Sequence, residues 1–230
     1  MCSRVGLQGF SAKEIPVQER PIVPARPDFS LRTTWAALFR QVARNSGSSE
    51  LALGAPAGLP PIKPFSDQDP SIEVWAIAGA PTEPGAIDRL AAMLGPAEED
   101  QPAPMLAPRD DLAIEVWTEC ELSVIHAAWR IVIAAPESEI TSSIRERIRS
   151  AITWHLDRTQ PDNATTHPWG VHAVLELGTP WAESSDYAAS MIHAVEAAGH
   201  AADQQDPLST WILLDAAAGL ESSTEPGFGG

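Results

Sequence analysis

Proline is the residue that most restricts what this chain can fold into, because each one fixes φ, removes a backbone donor and biases its predecessor away from helix. Of the 21 prolines in 230 residues, 15 fall at or before Pro108 and six follow. Pro16, Pro21, Pro24 and Pro27 make residues 1–29 an extended, disordered arm. Residues 47–70 and 96–108 are Pro-, Gly- and Ser-rich or acidic, and read as linkers with little ordering power. The expected organisation is that arm, an amphipathic helix over 30–46, a loosely ordered Pro-rich linker with a short helix over 47–110, a helical-hairpin domain over 111–220 and a disordered tail over 221–230.

The helix in the first half is well marked. Leu31, Trp35, Leu38, Phe39 and Val42 fall at i, i+4, i+7, i+8 and i+11, one apolar stripe, with Ser30 as its expected N-cap. Its polar face carries Arg32, Arg40 and Arg44, with no acid between Leu31 and Arg44. Charge is divided unevenly along the chain: residues 1–110 hold 10 basic and 13 acidic residues, and residues 111–230 hold 5 and 18. Docking of this basic helix on the chain's own acidic second half is therefore expected. A shorter helix is expected over Ala86 to Leu94, closed by Gly95-Pro96.

The second half reads as five helices on short connections, which implies antiparallel hairpins. Residues 111–117 alternate enough for a strand, and Thr118-x-x-Glu121 has the form of a capping box opening the next helix. That helix stacks Leu122, Ile125, His126, Trp129, Val132 and Ile133 on one face. The helix over 138–158 aligns Ile140, Ile144, Ile148, Ile152 and His155. After a turn at Asp162-Asn163, Pro168 suits a first helical position for a helix through Leu177. Ser184 or Ser185 opens the fourth helix, which closes at Gly199, and Asp206-Pro207 opens the last, through Leu220. An echo of Ile-Glu-Val-Trp at Ile72 and Ile114 suggests a pair of similar short strands. The fold class is thus mainly α, with one or two short strands.

Composition limits function. Fifteen Lys+Arg against 31 Asp+Glu give a net charge of −16. Such a balance disfavours a nucleic-acid surface, which must neutralise phosphates, and docking on anionic lipid. No apolar run approaches the roughly 18 residues of a membrane span. Met1 to Phe10 lacks a leader's apolar stretch and two cysteines make no disulfide framework, so a cytoplasmic location is expected.

Chemistry, if present, concentrates in residues 154–172. His126 and His155 sit on core stripes of consecutive helices, and His167 and His172 flank the start of the next. At least three of these imidazoles are expected to face one crevice. Histidine serves both proton transfer and metal ligation. His155, His172 and Asp162 are the candidate catalytic groups. His126, Asn163, His167, Trp169 and Glu176 are the candidate ligand-binding groups, with Glu176 a carboxylate that could orient His172 one helical turn away. The chain has no H-E-x-x-H, no cysteine pair and no repeated Glu-x-x-His, so no metal ligands are assigned and no cofactor is named. The opposing account makes each histidine a hydrogen-bonded core residue. Asp215, inside the apolar segment 211–220, needs a His, an Arg or a capped backbone as partner. Cys120, beside two glutamates, is a poor nucleophile.

Trp154-His-Leu156, Gln160-Pro-Asp-Asn-Ala-Thr165 and His167-Pro-Trp-x-x-His172, together with Glu115-Val-Trp-Thr-Glu119 and the downstream His126 and Trp129, carry a resemblance. The block over about 111–220 resembles a group of bacterial proteins of unassigned activity. At fold level, hairpins with inward aromatics and histidines are also similar to parts of the α/α toroids of terpenoid cyclases and six-hairpin glycosidases. The cyclases' D-x-D-D acid is absent, and five or six helices are too few for a closed toroid, so no catalytic residues are carried over.

Two functions remain in competition. The favoured one is an interaction or scaffold module, with a protein partner or a second copy of the chain. The other is a small-molecule-binding or hydrolase/lyase-type protein with a His/acid pocket between helices.

Overall fold

The computed structural model describes residues 28–45, 71–96, 101–135, 138–159, 165–202 and 206–222. Residues 1–27 of the expected arm over 1–29, the 47–70 linker, the Asp162-Asn163 turn and residues 223–230 of the expected tail over 221–230 lie outside them, while Glu221 and Ser222 belong to the last helix rather than to a disordered tail. Eight helices and no strand occur among the described residues: α1 (Arg32–Asn45), α2 (Ser71–Gly79), α3 (Ala86–Met93), α4 (Ile114–Ala134), α5 (Glu139–Arg158), α6 (Val171–Leu177), α7 (Trp181–Ala202) and α8 (Pro207–Ser222). The fold is mainly α, and five helices make up the second half.

The strand expectation fails at both places. Residues 114–117 form the first turn of α4, and Trp117, Cys120, Glu121 and Val124 are buried with helical spacing. The two Ile-Glu-Val-Trp tetrads instead open α2 and α4, which pack against each other. Thr118 and Glu121 consequently lie inside α4 rather than capping it.

Helix α4 is the axis of the molecule. It packs on α2, α3, α5 and α6, and fourteen of its 21 residues are buried. Its hairpin with α5 is antiparallel: Trp117, near the start of α4, meets Trp154 and His155, near the end of α5, at ring separations of 5.6 and 6.4 Å. Ser138 caps α5, accepting from the Thr141 N–H while the Thr141 hydroxyl accepts from the Ser138 N–H. Ile140, placed on the apolar stripe by sequence, is exposed within that first turn. Helix α7 begins at Trp181, ahead of the expected Ser184, and continues past Gly199. Asp206 caps α8 as expected, its Oδ1 accepting from the Leu208 and Ser209 N–H groups.

The basic helix docks on the acidic half. Helix α1 buries Trp35, Ala36, Phe39, Val42 and Ala43 and packs chiefly on α8. Arg32 donates from Nε and Nη2 to the two carboxylate oxygens of Glu176 on α6, both at 2.7 Å. Arg40 makes the same two-pronged contact with Glu221 on α8. Asp28, rather than Ser30, organises the entry to α1 by accepting from the Ser30 amide and hydroxyl.

The Pro-rich half contributes to the core as well. Ile77, Leu90 and Met105 are fully or nearly fully buried in the cluster that contains Phe39 and Ile125. Segment 101–108, read as a linker, is a strap. Its Met105 and Leu106 amides donate to the two oxygens of the buried Glu121 at 2.6 and 2.7 Å. Arg147 of α5 donates to the carbonyls of Gly95, Pro96 and Pro104. Proline prevents helix here, but it leaves carbonyls free to be clamped from outside.

Candidate functional site

Glu119, His126 and Arg130 stand at i, i+7 and i+11 on α4 and therefore share a face. Glu119 meets the segment before α6, and His126 and Arg130 both meet Asp215 of α8.

His126 is fully buried. Its Nε2–H donates to Asp215 Oδ2 of α8 at 3.1 Å, and the Gly170 N–H donates to its Nδ1 at 3.3 Å. The ring is thereby fixed as the Nε2–H tautomer with both nitrogens engaged. Trp169, His172 and Trp211 enclose it, with ring centroids at 5.3, 4.8 and 5.8 Å. Gly170 makes this approach possible. It precedes α6 in the left-handed region at φ 67°, and a Cβ there would lie 3.2 Å from both Ile125 Cγ2 and Leu122 O. The expected helix start at Pro168 is corrected for the same reason: 168–170 form a turn that drives Trp169 into the core, and α6 begins at Val171.

Asp215 closes the group. Its other oxygen, Oδ1, is held by Arg130 Nη1 at 3.0 Å, and Arg130 reaches the Ala78 carbonyl through Nε at 3.4 Å. Burial pushes this carboxyl up, but the His126 hydrogen bond and the nearby Arg130 charge prevail and hold it below its ordinary value. The need for a partner, read from sequence, is met by a His and an Arg together.

His172 lies beside this pair. It is completely buried, and neither ring nitrogen has a hydrogen-bond partner among the described residues. Burial, only partly offset by Asp215, holds it well below its ordinary value, so the ring is neutral near pH 7. Gly219 of α8 leaves room for it; a Cβ there would sit 3.2 Å from His172 Cδ2. One ligand atom from each of His126, His172 and Asp215 lies within 4.8 Å of the other two.

The other two imidazoles are elsewhere, which corrects the single-crevice expectation. His155 meets α4 near Trp117 and Glu121, while His126 is roughly 13 Å further along the axis from Trp117 at about 1.5 Å per residue. It hydrogen-bonds the Thr159 hydroxyl through Nδ1 at 3.1 Å, and Thr159 reaches Tyr187, whose phenol burial pushes up to about 12 despite that contact. His167, about a quarter exposed, pairs through Nδ1 with Glu119 Oε1 at 2.5 Å, and the Thr166 N–H donates to the same carboxylate. Burial opposes its charge, but the Glu119 hydrogen bond and the charges of Glu119 and Asp206 raise it above its ordinary value.

Glu176 does not orient His172. It is spent on Arg32, with both side chains nearly buried. Trp169 lines the His126 enclosure. Asp162 and Asn163 lie outside the described residues. Sequence reasoning missed Glu119, Glu121 and Arg130 as members of these groups. Arg130 had one visible signal: it is the sole Lys or Arg of α4, set in the apolar run 124–135.

Chemically, the His126–Asp215–Arg130 group is a closed hydrogen-bonded staple, with His172 the one member holding unused donor and acceptor capacity. No helix among the described residues is long and apolar enough to cross a membrane. No protein-family model, curated protein or solved structure matches this chain.

Proposed function

We propose that this chain is an acidic helical interaction module rather than a catalyst, working in the cytoplasm with a protein partner of basic character. The observation that carries this reading is how the candidate imidazoles are used. His126 has both nitrogens engaged by Asp215 and Gly170, His167 is held by Glu119, and His155 is bonded to Thr159. A general base needs a nitrogen within reach of a substrate proton. Both nitrogens of His126 and Nδ1 of His155 and His167 are spent on the fold, and Nε2 of His155 and both nitrogens of His172, though without a hydrogen bond among the described residues, are buried away from solvent. The net charge of −16 gives the module long-range attraction for a basic surface and repels phosphate backbones. The hydrolase- or lyase-type alternative rests on the convergence of two imidazoles, His126 and His172, instead of three.

In-cell cross-linking of the full chain, followed by reconstitution of the recovered protein with the purified chain, tests the proposal. The expected result is a stoichiometric complex by light scattering whose affinity falls with salt and is retained by His155→Gln and His167→Gln. A chain that recovers no reconstitutable partner, and whose melting temperature is raised by a small metabolite through His155 or His167, overturns it.

A further inference from the structure

We propose that His126, His172 and Asp215 form a binding site for a divalent transition cation, zinc foremost, that ties α4, α6 and α8 together. This goes beyond the interaction reading and does not depend on it.

The starting observation is His172. A buried donor and a buried acceptor left without partners forfeit the hydrogen bonds they made to water, and both His172 nitrogens are in that state among the described residues. The residue is completely enclosed and stands against a second imidazole and a carboxylate. Two imidazoles and one carboxylate suit zinc, which takes His nitrogen and Asp oxygen at about 2.0–2.2 Å.

The geometry is close to what such an ion needs. Four-coordinate bonds of that length place ligand atoms about 3.4 Å apart. His126 Nε2 and Asp215 Oδ2 are already 3.1 Å apart, and the remaining separations, at most 4.8 Å, must close by up to about 1.4 Å. Asp215 already has the orientation a ligand requires, since Arg130 holds Oδ1 and leaves Oδ2 on the cluster side, the usual outer-shell arrangement for a ligating carboxylate. Gly219 lets the His172 ring lie directly against α8 with no Cβ in its way. Binding requires the His126 proton to move from Nε2 to Nδ1, so the ring stays neutral and the long Gly170 contact is given up. A fourth position is left for water or a donor from outside the triad.

The test uses the full chain without a histidine tag, stripped with EDTA and given zinc alone. One zinc per chain is expected by equilibrium dialysis with elemental analysis, together with a melting temperature that rises with free zinc. His172→Leu and Asp215→Asn should each weaken binding by more than about 100-fold, and Arg130→Met by about 10–100-fold, as for an outer-shell partner. In EDTA, His172→Leu should melt at or above the parent, since it removes two unsatisfied nitrogens. Zinc X-ray absorption on the parent chain keeps the proposal testable if a variant fails to fold. Imidazole and oxygen at about 2.0–2.2 Å support it, whereas sulfur at about 2.3 Å places the ion on a cysteine and overturns it. Sub-stoichiometric zinc, or unchanged affinity in a folded His172→Leu, also overturns it.

Discussion

Asp215 of α8 accepts the Nε2 proton of His126 of α4 on one carboxylate oxygen, at 3.1 Å, while Arg130 holds the other at 3.0 Å. A carboxylate set in the apolar stretch 211–220 is tolerable only because two donors from one neighbouring helix reach it.

Removing the acceptor leaves a buried N–H and a partly buried guanidinium behind. Asp215→Ala is expected to lower unfolding stability by about 2–4 kcal/mol, and Arg130→Ala by less, because Arg130 keeps some contact with water. Urea denaturation measures both. A loss below about 1 kcal/mol for Asp215→Ala would show that the pair does not hold α4 to α8.

The Arg32–Glu176 pair joins α1 to α6 with side chains 11% and 5% exposed, too little water for cheap rescue. Glu176→Ala should cost about 2–4 kcal/mol and loosen α1 before the rest unfolds. Limited proteolysis near residues 28–45, alongside the Trp35 near-ultraviolet signal, reports that loosening. Global and local loss that coincide would contradict it.

His167 gives a pH dependence with a definite sign. Its folded value lies above its ordinary one, so the stability it contributes is complete below about pH 6.5, the unfolded value, and is lost as pH rises through the raised folded value. Its slope is at most about 1.4 kcal/mol per pH unit. His167→Gln should flatten stability against pH in that window, measured by urea melts across pH 6–8. An unchanged profile would place the titration on another group.

Gly170 is held at φ 67° with Ile125 and Leu122 against its open side. Gly170→Ala therefore meets both left-handed strain and crowding, and should cost about 1–3 kcal/mol in thermal or urea melts. A neutral result would mean that the turn before α6 relaxes freely and does not fix Trp169 against His126.

Much of this was legible along the chain. The stripe Trp35, Phe39, Val42 with arginines opposite, and the acidic excess after residue 110, together announced a helix that docks on its own C-terminal half. Asp206-Pro207 announced α8, and Asp215 announced its need for partners. The start of α4 was misread because Leu112, Ile114 and Val116 alternate, a pattern that packing resolved in favour of Trp117, Cys120, Glu121 and Val124. The 101–108 strap was hidden because what orders it is a carboxylate and a guanidinium supplied by α4 and α5.

The sequence by itself determined every described helix but α2, most of their apolar faces and the match of basic α1 to an acidic body, because periodicity and charge are properties of neighbours along the chain. Only the tertiary structure decided which histidines meet. His126 bonds Asp215 with the His172 ring packed beside it, while His155 and His167 find other partners further back along α4, because the level at which each helix crosses α4 is set by turns such as Gly170 and by side-chain volume, neither of which spacing encodes.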